Sequence, residues 1–340
     1  MPLVSICIPN YNYGKYIDEC INSVLEQTYP NFEIIFVDNC STDSSLEIIR
    51  KYSDKIRIFV NDSNIGMVRN FNRCSEHAIG KYLVFLSTDD SLKPAFVERC
   101  VKVMEEHEDV GIVICEREEV DEYGELLEPI PFFYDRSCIV PSHAQLPVMM
   151  MTGIGVPCQV MVRRTVFEAS GRYSERFSHA FDWHSNFKCV MRSNMAYLHE
   201  RLAKYRVFSG NSTAVMTLNM GMALEHHLLL LDFKALAQQH GYTEAVERYP
   251  EGLEKLAMMC LRYTLNMITN NQRETAERYL HLAQAYWLNI SNNELFIMIR
   301  KYFDGISNEL ELDRQLKQLA DGLRRHRSYH PPAGYLSLDV

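Results

Sequence analysis

Basic residues are scarce in this chain. Lys and Arg number 35 against 44 Asp and Glu in 340 residues, a formal net charge of −9. That argues against a nucleic-acid partner, which requires a basic surface to displace counterions. A helix that crosses a bilayer needs about 20 mostly apolar residues, and the sequence holds no such run. Its most apolar window, 146–162, is broken by Pro147, Gly153, Gly155 and Pro157. No basic segment opens the chain, so no signal peptide is expected at its start. Ten cysteines occur, but none forms a CxxC pair, which favours reduced thiols in a cytoplasmic protein over a disulfide framework or a zinc site. Two phosphate cradles are missing as well. The first strand–helix turn, Pro9 to Gly14, has no GxGxxG, and no GxxxxGK[ST] follows anywhere. An anionic ligand would therefore need a metal or local backbone amides to balance it. What remains, 47% hydrophobic and 23% charged, suits a globular protein of one large domain or two.

Within the first hundred residues, short apolar runs alternate with helical stripes. Strands are expected at 4–8, 33–37, 56–60 and 82–86, the second nearly all apolar, as a parallel strand covered on both faces should be. Ile17, Cys20, Ile21, Val24 and Leu25 recur at helical spacing, Leu46 and Ile49 share a second helix, and a third is expected over 67–79. The alternation implies a doubly wound, mainly parallel α/β sheet. Ligands bind at the carboxyl ends of such strands. Polar residues stand at four of them: Asn10, Tyr11 and Asn12; Asp38 and Asp43; Asn64 and Gly66; Asp89 and Asp90. Loops are polar in general, and capping alone accounts for Asp43. Four ends together point to a binding cleft, and adjacent Asp89 and Asp90 are suited to Mg²⁺ or Mn²⁺ bridging to substrate phosphates.

Several segments in series resemble the family 2 glycosyltransferases of the GT-A fold: Ile8-Pro9-Asn10-Tyr11-Asn12, Ser23 to Pro30, Glu33 to Asp38, Ser41-Thr42-Asp43, Asn64-Ile65-Gly66, and Ala78 through Asp90. The resemblance is dense over 3–95 and sparser to about 213. It implies an inverting transfer from a nucleotide-sugar donor, UDP-linked by preference, to a glycan or lipid-linked acceptor in bacterial surface polysaccharide synthesis. By the same resemblance Pro9 and Tyr11 flank the nucleobase, Asp38 meets its edge, and Asp89 contacts the ribose or the metal shell. Asp90 ligates Mn²⁺ or Mg²⁺, and Asn12, Asn64 and Gly66 complete the nucleotide rim. Gly171-Arg172-Tyr173 leads to Asp182-Trp183, where Asp182 matches the general base of the family; as a structural alternative it caps the following helix.

The sequence departs from the family at three places. Ser87 stands where an acid is usual, Asn39-Cys40 replaces Asp-Gly, and Phe208 occupies a position where many members carry a metal-binding His. A non-catalytic nucleotide- or glycan-binding relative, or a nucleotidyltransferase, are the alternatives. Gln159, Trp183, His184 and Arg206 are candidate substrate contacts. The bland alternatives are a sheet edge with a glycine bulge around Gln159, exposed loop histidines at 179 and 184, and an acid pair for Arg206. The expected domains are 1–215, divided at 95 into nucleotide and acceptor halves, an all-helical region over 221–325, and a flexible tail over 326–340. In the helical region Leu224, Leu228 and Leu231 share a face suited to packing or to a homo-oligomer. An amphipathic stripe over 312–327 could rest on an anionic membrane at its inner face, or form a solvated helix or dimer seam.

Overall fold

A computed structural model describes residues 1–208, 216–307, 310–312, 314 and 328–338. The chain forms two compact units, Met1–Met149 with Gly153–Phe208 and Tyr329–Val340, and Met150–Thr152 with Ser209–Ser328.

The first unit is built on one sheet. Its strands are β1 (Val4–Asn10), β2 (Phe32–Asp38), β3 (Arg57–Val60), β4 (Tyr82–Phe85), β5 (Ser91–Leu92), β6 (Val110–Val120), β7 (Cys138–Val140), β8 (Val160–Arg163), β9 (Asn194–Arg206) and β10 (Leu336–Ser337), in the order β10-β7-β9-β6-β8-β4-β1-β2-β3, with β5 paired to β9. The amino-terminal half, β3-β2-β1-β4, is parallel throughout, and its strand ends share one rim because Asn10 pairs with Asp38 and Asp38 with Val60. Proline is tolerated inside β1 because Pro9 lies beyond Cys7, the last β1 residue paired with β4. Past β4 the sheet is mixed. β8 enters antiparallel between β4 and β6, while β6 and β9 run parallel. Residues 157–163 therefore lead into the middle of the sheet, not to the edge expected around Gln159.

Helices α1 (Ile17–Leu25), α2 (Ser45–Ile49), α3 (Met67–His77), α4 (Phe96–Glu106), α5 (Ser142–Met149), α6 (Arg164–Ala169) and α7 (Phe181–Val190) accompany the strands. Ile17, Cys20, Ile21 and Val24 of α1 are all fully buried against Ile6, Ile8, Ile34 and Phe36 of the sheet. At about 25 cal/mol per Å² of apolar surface, each such side chain contributes roughly 1.5–3 kcal/mol. The carboxyl-terminal segment corrects one expectation. Leu336 and Ser337 pair antiparallel with Ile139 and Cys138, so this part of the chain is tied to a strand edge and is not a free tail.

The second unit is helical: α8 (Gly221–Gln239), α9 (Thr243–Glu247), α10 (Tyr249–Thr269), α11 (Arg273–Tyr286) and α12 (Glu294–Phe303). Cys260, Leu261, Tyr279, Leu280 and Ile299 form its core. α8 buries Leu229, Leu230 and Phe233, whereas Leu224, Leu228 and Leu231 are 48%, 51% and 42% exposed. A four-leucine run makes α8 apolar nearly all round, so spacing alone did not identify the packed face. Most of the stripe over 312–327 lies outside the described residues.

Candidate active site

The rim at the strand ends is held by short polar side chains that bond to one another. Asp38 is fully buried at the end of β2. Its Oδ1 accepts from Asn10 Nδ2 at 2.8 Å and from the Ser41 hydroxyl at 2.7 Å, and its Oδ2 accepts from the Ser41 amide at 2.8 Å. The same Ser41 hydroxyl receives the Asn12 amide at 2.9 Å, and Asn12 Oδ1 receives the Thr42 amide at 2.8 Å. Asn12 adopts φ 57° to make this exchange, a left-handed conformation that Asn tolerates better than most residues. Asn39 donates to Asn64 Oδ1 at 2.8 Å, which also receives the Gly66 amide at 2.9 Å, and Asn61 links Asn39 to Asn70. Asp43 caps α2 through the Ser45 amide, and its other oxygen receives the Gly14 amide at 2.9 Å. The approach is close: a Cβ on Gly14 would lie 2.8 Å from the Ser44 hydroxyl, 3.0 Å from the Asp43 carboxylate and 3.1 Å from the Ser45 amide. Tyr11 projects from this rim, 41% exposed.

Beyond β4, Thr88 donates to the Pro9 carbonyl at 3.0 Å, fastening the acidic turn to the end of β1. Burial raises the Asp89 carboxyl to about 6, and burial and then the Asp89 charge push Asp90 well above the ordinary carboxylate range. Asp90 accepts the Arg206 amide at 3.0 Å, and the Cys158 thiol lies beside it. Two crowded, desolvated carboxylates are a hard-oxygen donor set that a divalent cation would relieve. Among the described residues no three His, Cys, Asp or Glu side chains are grouped to hold a metal. The residues thus fit a cation shared with substrate phosphates, the usual mode for Mg²⁺.

Phe208 packs its ring on Tyr13 at 6.3 Å and on Tyr16 at 6.0 Å. The Tyr13 phenol is itself raised by burial and by Asp89 and Asp90. Arg206 is 2% exposed and its guanidinium is committed to the fold: Nε donates to the Asp89 carbonyl, Nη1 to the Asp121 and Glu122 carbonyls, and Nη2 to Glu19 at 2.5 Å. Of the two roles considered for Arg206, this arrangement is the acid pair.

Asp182 stands in the first turn of α7, half-buried, with Oδ1 receiving the Trp183 amide at 2.7 Å. Burial raises its carboxyl to about 6. Trp183 donates its indole N–H to the Met149 carbonyl at 3.1 Å. His184 is not the exposed loop histidine of the bland alternative. It is 4% exposed on α7, its ring 4.7 Å from Phe177, because three residues earlier the chain has already turned into the helix. Gln159 is likewise buried, its amide spent on Arg117, Val156 and Cys115. Sequence reasoning did not single out Arg117, Cys158 or Asn70. Only Asn70 left a signal, an amide among the apolar positions of α3.

A sheet that gathers these carboxylates at its strand ends, with a further acid opening a helix beyond them, is a GT-A-type glycosyltransferase domain in class. Residues 5–169 match the family described as Glycosyl transferase family 2, and the chain carries a domain of that family. TuaG of Bacillus subtilis, named for teichuronic acid biosynthesis, is 37% identical over 108 residues, covering 31% of this chain and 43% of TuaG. An uncharacterized glycosyltransferase of Rickettsia prowazekii is 30% identical over 220 residues, covering 62% of this chain and 66% of the relative. The chain thus spans less than two thirds of either relative. Among solved structures, S. aureus TarS with UDP-GlcNAc aligns with a TM-score of 0.56 at 19% identity, over 91% of this chain and 93% of that one. The mannosyltransferase PcManGT of Pyrobaculum calidifontis, in complex with GDP-Man and Mn²⁺, aligns at 0.56 and 18% identity, over 96% and 81%. At these identities the structural likeness speaks for the fold.

Proposed function

We propose that this chain is an inverting glycosyltransferase that moves a sugar from a nucleoside diphosphate, UDP by preference, to a hydroxyl of a glycan or lipid-linked acceptor. The observation that carries this reading is Asp182, half-buried in the first turn of α7, with Oδ1 held by the Trp183 amide and a carboxyl raised to about 6. Such a group is ionised at neutral pH yet basic enough to take a proton. The acceptor hydroxyl gives its proton to Asp182 as its oxygen bonds to the anomeric carbon. The bond from that carbon to the diphosphate breaks on the opposite face, and its electron pair leaves on the nucleoside diphosphate. Pro9 and Tyr11 flank the base, and Asp38, braced by Asn10 and Ser41, meets its edge beside Asn12, Asn64 and Gly66. Asp90, with Asp89, would hold the Mg²⁺ or Mn²⁺ that supplies positive charge for the leaving diphosphate. Trp183 stands next to the base, and Gln159 and Arg206 serve from behind the site.

No helix among the described residues is long and apolar enough to cross a membrane. The setting we propose is bacterial surface polysaccharide assembly at the cytoplasmic face, in line with the name of the B. subtilis relative. Release of nucleoside diphosphate from UDP-, dTDP- and GDP-sugars tests the reading. Wild type turns over one class, and Asp182→Asn binds the same nucleotide with release slowed at least about 100-fold, a general base being worth 10²–10⁴. Release at the wild-type rate would remove Asp182 from the chemistry. Phe208, seated in an aromatic cluster, favours one second reading: a relative that binds nucleotide without turnover.

A further inference from the structure

We infer that Arg117 is a positioning residue that, through Gln159 and the segment 153–159, fixes the spacing between the donor-side carboxylate Asp90 and the helix that bears Asp182. The inference rests on the roles proposed above for those two acids.

Arg117 lies on β6 with its side chain 22% exposed. Its Nη1 donates to Gln159 Oε1 at 2.8 Å and its Nη2 to Glu119 Oε1 at 2.9 Å, while the guanidinium covers the Tyr205 ring at 4.9 Å. Gln159 is held on every side. Its Oε1 also receives the Val156 amide at 3.2 Å, and its Nε2 donates to the Cys115 carbonyl at 2.6 Å. The short turn Pro157–Gln159 is thus riveted to β6 at two points, Cys115 and Arg117.

Both ends of the segment reach the chemistry. The neighbouring Cys158 thiol lies beside the Asp90 carboxylate. At the other end Asn186, four residues beyond Asp182 on α7, donates to the Ile154 carbonyl at 3.0 Å and the Gly155 carbonyl at 2.9 Å. The Trp183 ring lies against Gly153, where a Cβ would approach it to 3.2 Å. One seven-residue segment therefore meets Asp90 at one end and, at the other, Trp183 and Asn186, the residues one and four places beyond Asp182 on α7. Lysine cannot take the place of Arg117, since a point charge does not make the fork that joins Gln159 and Glu119 while stacking on Tyr205.

An in-line reaction between groups held on two sides of a cleft is sensitive to this spacing. A misplacement of about 1 Å costs on the order of 10²-fold in rate. The test compares wild type, Arg117→Lys and Gln159→Met in the full chain. Calorimetry reads UDP affinity, and steady-state kinetics read UDP release from whichever UDP-sugar wild type consumes. The expected result is kcat lowered on the order of 10²-fold in each variant, with donor KM and UDP affinity within about threefold, and a double variant no slower than the slower single. Unchanged kcat in either variant overturns the inference. So does a loss carried by KM or UDP affinity, which would make Arg117 a donor contact. If Arg117→Lys does not fold, Gln159→Met carries the test with the arginine still in place. Absence of UDP release by wild type from any UDP-sugar is a different failure: it removes the proposed function and this inference with it.

Discussion

Two kinds of carboxylate stand at the strand ends and at the opening of α7, and they are held in opposite ways. Asp38 accepts three hydrogen bonds from Asn10 and Ser41 and braces the turn after β2. Asp182 is held by backbone amides alone, with no side-chain donor among the described residues, and Asp89 and Asp90 crowd each other in a desolvated turn. The first kind stabilises the fold. The second kind is left under-satisfied by the fold, with carboxyls raised above their ordinary range, and that is the state from which a carboxylate takes a proton or a cation.

Substitutions that separate the two kinds sharpen the contrast. The largest effect is expected at Asp182→Asn, which lowers turnover at least about 100-fold and leaves UDP affinity near wild type, as read by paired kinetics and calorimetry. The same change should raise the melting temperature at pH 7.5. The sign follows from linkage. A carboxyl raised from 3.8 to about 6 contributes its stability fully below pH 3.8 and loses it as pH rises through 6, so removing the charge at neutral pH returns about 1–2 kcal/mol after allowance for partial exposure. A lower melting temperature for the Asn variant would show that the ionised form is structurally favoured.

Next comes Asp90→Asn, for which UDP affinity in Mn²⁺ should fall about tenfold, or 1.4 kcal/mol, with less change in EDTA. An equal loss in both media would assign Asp90 to the fold. For Asp38→Asn the order reverses. Unfolding should be easier by about 1–3 kcal/mol, because a buried hydroxyl or amide hydrogen loses its acceptor, and thermal melting without ligand should already reveal it. Turnover in wild type should fall about tenfold per pH unit below 6 as Asp182 protonates. A flat profile down to pH 4.5 would contradict the base. The smallest effect is expected at Phe208→Leu. Loss of its ring contacts with Tyr13 and Tyr16 costs about 1 kcal/mol of stability, with turnover within about threefold.

The amino-terminal half was legible in the sequence because its strands are short, apolar and covered on both faces, so their polar ends stand out. β1, β2 and β4 begin and end within about two residues of the expected limits. What joins the halves was not legible. Gln159 meets Arg117 across 42 residues of chain, through an antiparallel strand inserted between β4 and β6 that no local pattern announces. Arg206 read equally well as a phosphate ligand or an acid partner, since only the fold brings Glu19 to it across 187 residues. In the helical unit periodicity identified helices but not their buried faces, as the exposed leucines of α8 show.

A thermal melt with UDP, dTDP, GDP and CDP, each with and without Mn²⁺, tests the donor site most directly. A nucleotide at 100 times its dissociation constant adds about 2.7 kcal/mol, a shift of several degrees at this size. The expected result is a shift with UDP that requires Mn²⁺ and is about halved in Asp90→Asn, as a tenfold weaker affinity dictates. No shift with any of the four, with metal or without, would contradict a nucleotide site at these strand ends.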